Sequence, residues 1–271
     1  MITLFAILIL VGILAGILAG LFGLGGGILF TPAIYFLYQS EGIPDPVLWT
    51  IGTSLLCNSI AALSSTYKHY QMDNLFLREG ILTGIFGILG TYAGRIVATS
   101  PFYSDREFTV FFSIILFYSA IHHLRKNKPS ELHTGKTVRP MKLYHALLIG
   151  FSAGMLAMLG GVGGGIIMVP AMTIVLSFSF KKVVSISSLA ITLITFSGWI
   201  QLANMEPATG GISGIHWGYL DLATAFPLIL GSTFGARYGV YLANVIRLRT
   251  LEILFGLFVL MVTGRLLYGL I

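Results

Sequence analysis

Two glycine runs carry the chemistry open to this sequence. Gly23-Leu24-Gly25-Gly26-Gly27-Ile28-Leu29-Phe30-Thr31-Pro32-Ala33 is matched by Gly161-Val162-Gly163-Gly164-Gly165-Ile166-Ile167-Met168-Val169-Pro170-Ala171, and Pro32 and Pro170 stand 138 residues apart in a chain of 271. Consecutive glycines in an apolar helix interrupt its hydrogen-bond ladder. At membrane depth such an interruption persists only where protein or a watery cavity covers it. A helix that restarts at Gly25, Gly26 and Gly27, or at Gly163, Gly164 and Gly165, presents free N–H groups and the positive end of its dipole. That is an anion site without a cationic side chain, and the missing side chains let an anion approach the backbone closely. The competing reading is close helix packing, for which small residues are commonly used in membranes, and the two can hold together. A nucleotide-binding glycine loop fits poorly, since no strand precedes either run and no acidic residue follows at the required distance.

Small polar side chains form the second group of candidates. Ser54 and Asn58 are four residues apart and share a helix face, as do Ser188 and Thr192. Neutral donors on an interior face can bind an anion at little cost when empty, although a hydroxyl can equally bond a carbonyl of its own helix or tie two helices together. Asn58 is the strongest of the four, because an amide is costly to leave facing lipid. Arg95 and Arg237 occupy matching places in the two halves and are candidates for charge at a pathway mouth, with snorkelling to the interface as the alternative. Asp221 could pair with an arginine or carry protons. Tyr67, His69, Gln201 and His216 are expected at the membrane interface. No HExxH, no GxSxG and no paired histidine and acid on one helix face occurs, so neither an enzyme nor a metal site is expected.

The elements that must position these residues follow from composition. Only 10% of the residues are charged, 56% are hydrophobic and the mean hydropathy is +0.89. A water-soluble chain carries about 25% charged residues. Apolar runs near span length recur without the alternation of barrel strands, which indicates an all-α polytopic membrane protein. Cys57 is the single cysteine, so no intrachain disulfide can form. The first apolar run lacks a basic leader and enters the glycine run directly, unlike a cleaved signal.

About ten spans are expected: 4–20, a short 24–38, 47–66, 79–98 and 108–124, then 143–159, a short 163–178, 183–204, 217–241 and 251–267. The count falls to eight if the two short glycine-led segments are re-entrant. Residues 1–124 and 143–271 form two repeats of five, joined by a polar segment, 125–142, that carries six Lys and Arg against Glu131. The halves match beyond the glycine runs. Thr53-Ser54-Leu55 corresponds to Ser187-Ser188-Leu189, and Gly90-xxx-Gly94 to Gly231-xxx-Gly235. With 125–142 cytoplasmic, all but three of the 16 Lys and Arg fall on the cytoplasmic side, which explains the sequence pI of about 9.5 without nucleic acid. Five spans per half then make the repeats inverted in topology, with broken spans two and seven entering from opposite sides.

The tandem motifs ending at Pro32 and Pro170, together with Thr53-Ser54-Leu55 and Ser187-Ser188-Leu189, resemble the TauE/SafE sulfite exporter family over nearly the whole chain. The resemblance implies a multi-pass permease of the bacterial inner membrane that exports sulfite or small organosulfur anions. The expected activity is that of a secondary transporter working by alternating access, with an anion channel or an uptake permease as alternatives. The expected partners are the small anion and the lipid bilayer; no cofactor is expected, and a homo-oligomer is left open.

Overall fold

A chain this apolar must satisfy its backbone polar groups inside each segment, and helices do so. The computed structural model describes residues 2–23, 25–125, 140–207, 212, 214–243 and 248–268. Leu24, residues 126–139 of the basic segment, residues 208–211 within the loop before His216, and Arg247 lie outside the described residues. Within those described, ten helices follow in order: α1 (Ile2–Phe22), α2 (Gly27–Ser40), α3 (Pro46–Gln71), α4 (Leu77–Ala98), α5 (Asp105–Arg125), α6 (Leu143–Gly160), α7 (Gly165–Val175), α8 (Phe180–Ala203), α9 (Leu222–Leu242) and α10 (Leu248–Tyr268). Among the described residues, five of them, α1, α3, α4, α6 and α8, are long and apolar enough to cross a membrane.

Local chemistry sets the ends. The short helices α2 and α7 begin later than the apolar pattern suggests, at Gly27 and Gly165, because the preceding glycines turn the chain. Gly25, Gly163 and Gly164 hold φ of 76°, 74° and 80°, a region that side chains rarely adopt. Helix α7 ends at Val175 rather than near Phe178, since Ser177 takes φ of 56°. The ninth span does not start at Trp217. His216–Trp217 (β1) and Leu220–Asp221 (β2) pair as a two-residue antiparallel hairpin, and Asp221 then caps α9 by accepting from the N–H groups of Ala223 and Thr224. Ser104 and Glu107 cap α5 in the same spirit: the Ser104 N–H donates to Glu107, and the side chains bond each other. These donors hold the exposed Glu107 carboxyl below its usual range.

The packing maps onto itself when helices one to five are exchanged with six to ten. Helix α1 packs along α9, and α6 along α4; α3 touches α9, and α8 touches α4; α2 lies on α3, and α7 on α8; α5 pairs with α10 and α3 with α8. Glycine makes the closest of these pairs possible. Gly12 and Gly16 abut the α9 backbone at Leu228 and Ser232, while Gly231 and Gly235 abut α1 at Ile9 and Ile13. Gly90 and Gly94 meet α6 at Phe151 and Met155, and Gly150 and Gly154 meet α4 at Thr83 and Gly87. Helix α1 of one half is therefore keyed into the other half, and α6 likewise. The related helices α3 and α8 run antiparallel, with Leu55 against Gly198 and Ser65 against Ser188. They are the most enclosed of the long apolar helices and carry most of the buried serines and threonines among the described residues.

Two residues expected at the membrane interface, His69 and Gln201, are buried against neighbouring side chains near the ends of α3 and α8. His69 is buried beside Asn74, and Gln201 donates to Thr91 and Ser197, so α4 and α8 share a polar tie. Tyr67 is exposed, as is His216.

Candidate functional site

The two glycine loops meet at the centre of the bundle. Helix α1 closes on Gly23, whose N–H donates to Ala19, and α6 closes on Gly161, whose N–H donates to Ala157. Each loop then exposes a carbonyl that its own helix cannot use. The partners come crosswise. The Ser187 hydroxyl of α8 donates to the Gly23 carbonyl at 2.8 Å, and the Ser54 hydroxyl of α3 donates to the Gly161 carbonyl at 2.9 Å. Thr31, next to Pro32 in α2, hydrogen-bonds Ser54 at 2.9 Å. One serine of each matched motif, Ser54 and Ser187, thus cross-ties a break, although in motif register Ser54 corresponds to Ser188 and Ser187 to Thr53.

Asn58 is wedged between both loops. Its Nδ2 donates to the Gly161 carbonyl at 3.4 Å. A Cβ placed on Gly25 would lie 2.8 Å from Asn58 Oδ1, and one on Gly27 or Gly163 would lie 2.5 or 2.8 Å from Nδ2. A Cβ on Gly27 would also sit 2.5 Å from the Gly161 carbonyl and from Val162 Cα, so the two loops touch each other. Asn58, Ser54 and Thr31 are completely buried. Beyond the loops the ladders resume: Leu29 and Phe30 donate to Gly26, and Ile167 and Met168 donate to Gly164. The N–H groups of each first turn precede these bonds and point off the helix start.

Gly25, Gly27, Ser54, Asn58 and Gly163 are brought together here. Gly26 lies at the start of α2 with its Cα facing the Phe30 ring, and Gly164 backs onto the Ala153 carbonyl of α6, with Gly165 opening α7. Ser188 and Thr192 lie elsewhere on α8. Ser188 bonds Ser65 at 3.0 Å, and Thr192 donates to the Ser188 carbonyl and meets Thr66. Ser65 is seven residues beyond Asn58, two helical turns along α3 and about 10 Å away. Arg95 and Arg237 stand over the rings of Tyr92 and Tyr67, at 5.7 and 5.8 Å, the first half-buried and the second exposed. No charged side chain is among the nearest neighbours of the described glycines in the two loops. Among the described residues Asp221 has no arginine partner: it is buried as the α9 cap and accepts from Tyr38 at 3.2 Å, while Thr53 accepts from its N–H.

Sequence reasoning passed over Thr31 and Ser187 as site residues. Both were legible as hydroxyls inside the matched motifs, but only the crossed packing shows which carbonyls they satisfy. The Tyr38–Thr53–Asp221 network had no signal, since its members are 15 and 168 residues apart in sequence.

The site is a neutral, buried meeting of two helix starts, polar through backbone, hydroxyl and amide groups alone. The family model for sulfite exporter TauE/SafE matches residues 8–266. A probable membrane transporter protein of Methanocaldococcus jannaschii is 29% identical over 93% of this chain and 91% of its own length. YunE of Bacillus subtilis and a protein of Haemophilus influenzae, both named probable membrane transporter proteins, are each 27% identical over 97% of both chains. No solved structure matches. With the twin glycine loops and their crossed serines at its centre, the chain belongs to the TauE/SafE sulfite exporter family.

Proposed function

We propose that this protein is a secondary transporter that exports a small sulfur-containing anion, such as sulfite or an organosulfonate, across the bacterial inner membrane, with segment 125–142 on the cytoplasmic side. The observation that carries the reading is the convergence of two broken-helix starts on a buried amide with no charged side chain beside it among the described residues. Membership of a sulfite exporter family supports the substrate class. The antiparallel course of α3 and α8, and packing that survives exchange of the halves, support inverted repeats of five spans.

Alternating access is the mechanism this geometry favours. The loops are in contact and Asn58 has no exposure, which suits an occluded carrier better than an open channel. The moving bodies would be α1, α3 and α9 against α4, α6 and α8. The sequence halves themselves cannot separate without unkeying the glycine faces of α1 from α9 and of α6 from α4. With the cell interior negative, the potential drives one negative charge outward by about 2.3 kcal/mol per 100 mV, so export needs no further coupling.

A thermal-unfolding screen of the purified protein with sulfite, thiosulfate, sulfoacetate, phosphate and chloride tests the reading, followed by counterflow in oriented vesicles. Stabilisation by a sulfur oxyanion with saturable counterflow is the expected result. Linear flux without saturation would replace the carrier by a channel, and absence of any anion effect would end the anion assignment.

A further inference from the structure

One atom at the meeting of the loops is not accounted for by an anion held on N–H groups. Asn58 Oδ1 is completely buried and has no hydrogen-bond partner among the described residues. Its orientation is fixed chemically. The Gly161 carbonyl can only accept, so the amide nitrogen must face it, and the opposite rotamer would set two oxygens together. The oxygen is therefore the end turned toward Gly25, ahead of the α2 start. A site made of helix-start N–H groups takes acceptor oxygens. A buried acceptor beside them requires a donor, and leaving it unmatched is costly.

From this pattern we infer that the transported species is an oxyanion that retains one acidic proton: its charged oxygens lie on the helix starts, and its O–H donates to Asn58 Oδ1. The inference rests on the anion reading proposed above and narrows it. Hydrogen sulfite has the required donor. The sulfite dianion and alkyl sulfonates lack it, and in the site each would set an oxygen against an oxygen. The helix ends alone would favour the dianion, so the two terms predict opposite dependence on pH.

No ionisable group contacts the Asn58 amide from α2, α7, α8 or the loops among the described residues; its neighbours there are Gly25, Gly27, Gly161 and Gly163. Other ionisable groups of α3 and the helices around it lie away from that amide: Tyr35 bonds Thr109, Arg237 stands over Tyr67, Lys68 and Tyr70 are ten and twelve residues beyond Asn58 on α3, and Lys181 is exposed at the start of α8. Cys57 faces the Ala225 carbonyl of α9, Tyr38 and Asp221 close on Thr53, His69 lies beside Asn74, and Lys182 of α8 pairs with Glu79 of α4.

The test is the thermal unfolding of the full chain in detergent, titrated with sulfite and with methanesulfonate in mildly acidic and mildly alkaline buffer. Sulfite should bind on the order of tenfold more weakly in the alkaline buffer, and methanesulfonate on the order of tenfold more weakly than sulfite in the acidic one, with no pH dependence of its own. Asn58→Ala should erase the difference between the two anions; the Ser54 hydroxyl still satisfies Gly161 in that variant. Equal affinities for the two anions, or tighter sulfite binding in alkaline buffer, would overturn the proposal while leaving the anion reading intact. Binding that requires sodium rather than a proton would assign Oδ1 to a cation and also overturn it. If neither anion binds in either buffer, the anion reading itself fails.

Discussion

The Ser54 hydroxyl of α3 donates to the Gly161 carbonyl, 107 residues away, at 2.9 Å, and so closes the break between α6 and α7 from the opposite half. Ser187 of α8 does the same for Gly23. The two ties are not equally buffered. Gly161 has a second donor in Asn58, whereas Ser187 is the one side-chain donor to Gly23 among the described residues. Ser187→Ala should therefore cost about 1–2 kcal/mol, and Ser54→Ala less than about 1 kcal/mol. Thermal unfolding of the purified variants gives the order, and a larger loss for Ser54→Ala would mean that its bond to Thr31 matters more than its bond to Gly161.

Glycines in the same motif should respond differently to substitution. Gly26 has φ of −77°, which a side chain tolerates, but an added Cβ would press on the fully buried Phe30 ring. Gly164 has φ of 80° and backs onto the Ala153 carbonyl. Gly26→Ala should lose about 1–2 kcal/mol through overpacking alone, and Gly164→Ala about 3–4 kcal/mol through strain and overpacking together. Folded yield and unfolding midpoint distinguish them; equal tolerance would contradict the left-handed turn at Gly164.

The glycine faces that key α1 into α9 and α6 into α4 should behave as packing surfaces. Gly154→Ala and Gly235→Ala each place a methyl against backbone and should destabilise by about 1–3 kcal/mol. Anion affinity of the surviving folded fraction should be unchanged. A selective loss of affinity would move these glycines from packing to the pathway.

Asp221 separates a structural from a proton-carrying role. Its carboxylate caps α9 and accepts from Tyr38, and an asparagine can cap equally well. Asp221→Asn should keep stability within about 0.5 kcal/mol, while Asp221→Ala should lose about 1–2 kcal/mol. Counterflow by Asp221→Asn should match the parent; a collapse of transport with stability preserved would make Asp221 a proton carrier.

Much of the fold was legible in local pattern. Periods of apolar residues and the charges between them place the helices, and the runs around Gly25 and Gly163 announce two interruptions, because glycine repeats leave few other physical readings in lipid. The hairpin at His216 to Asp221 is not legible in the sequence, since Trp217, Tyr219 and Leu220 read as the start of an apolar span. Two residues per strand carry no period, and only Gly218, with φ of 53°, marks the turn.

The helical class, the internal duplication and the identity of the motif residues all follow from composition and spacing along one chain. What those residues do to one another does not, and it took the packed helices to decide it. Hydrogen bonding to a broken helix is a matter of which carbonyl a hydroxyl can reach, and that depends on helices far apart in sequence. Crossed packing sends Ser54 to Gly161 and Ser187 to Gly23, takes Ser188 and Thr192 away to Ser65 and Thr66, and leaves the Asn58 carbonyl oxygen without a donor among the described residues at the place where both glycine loops meet.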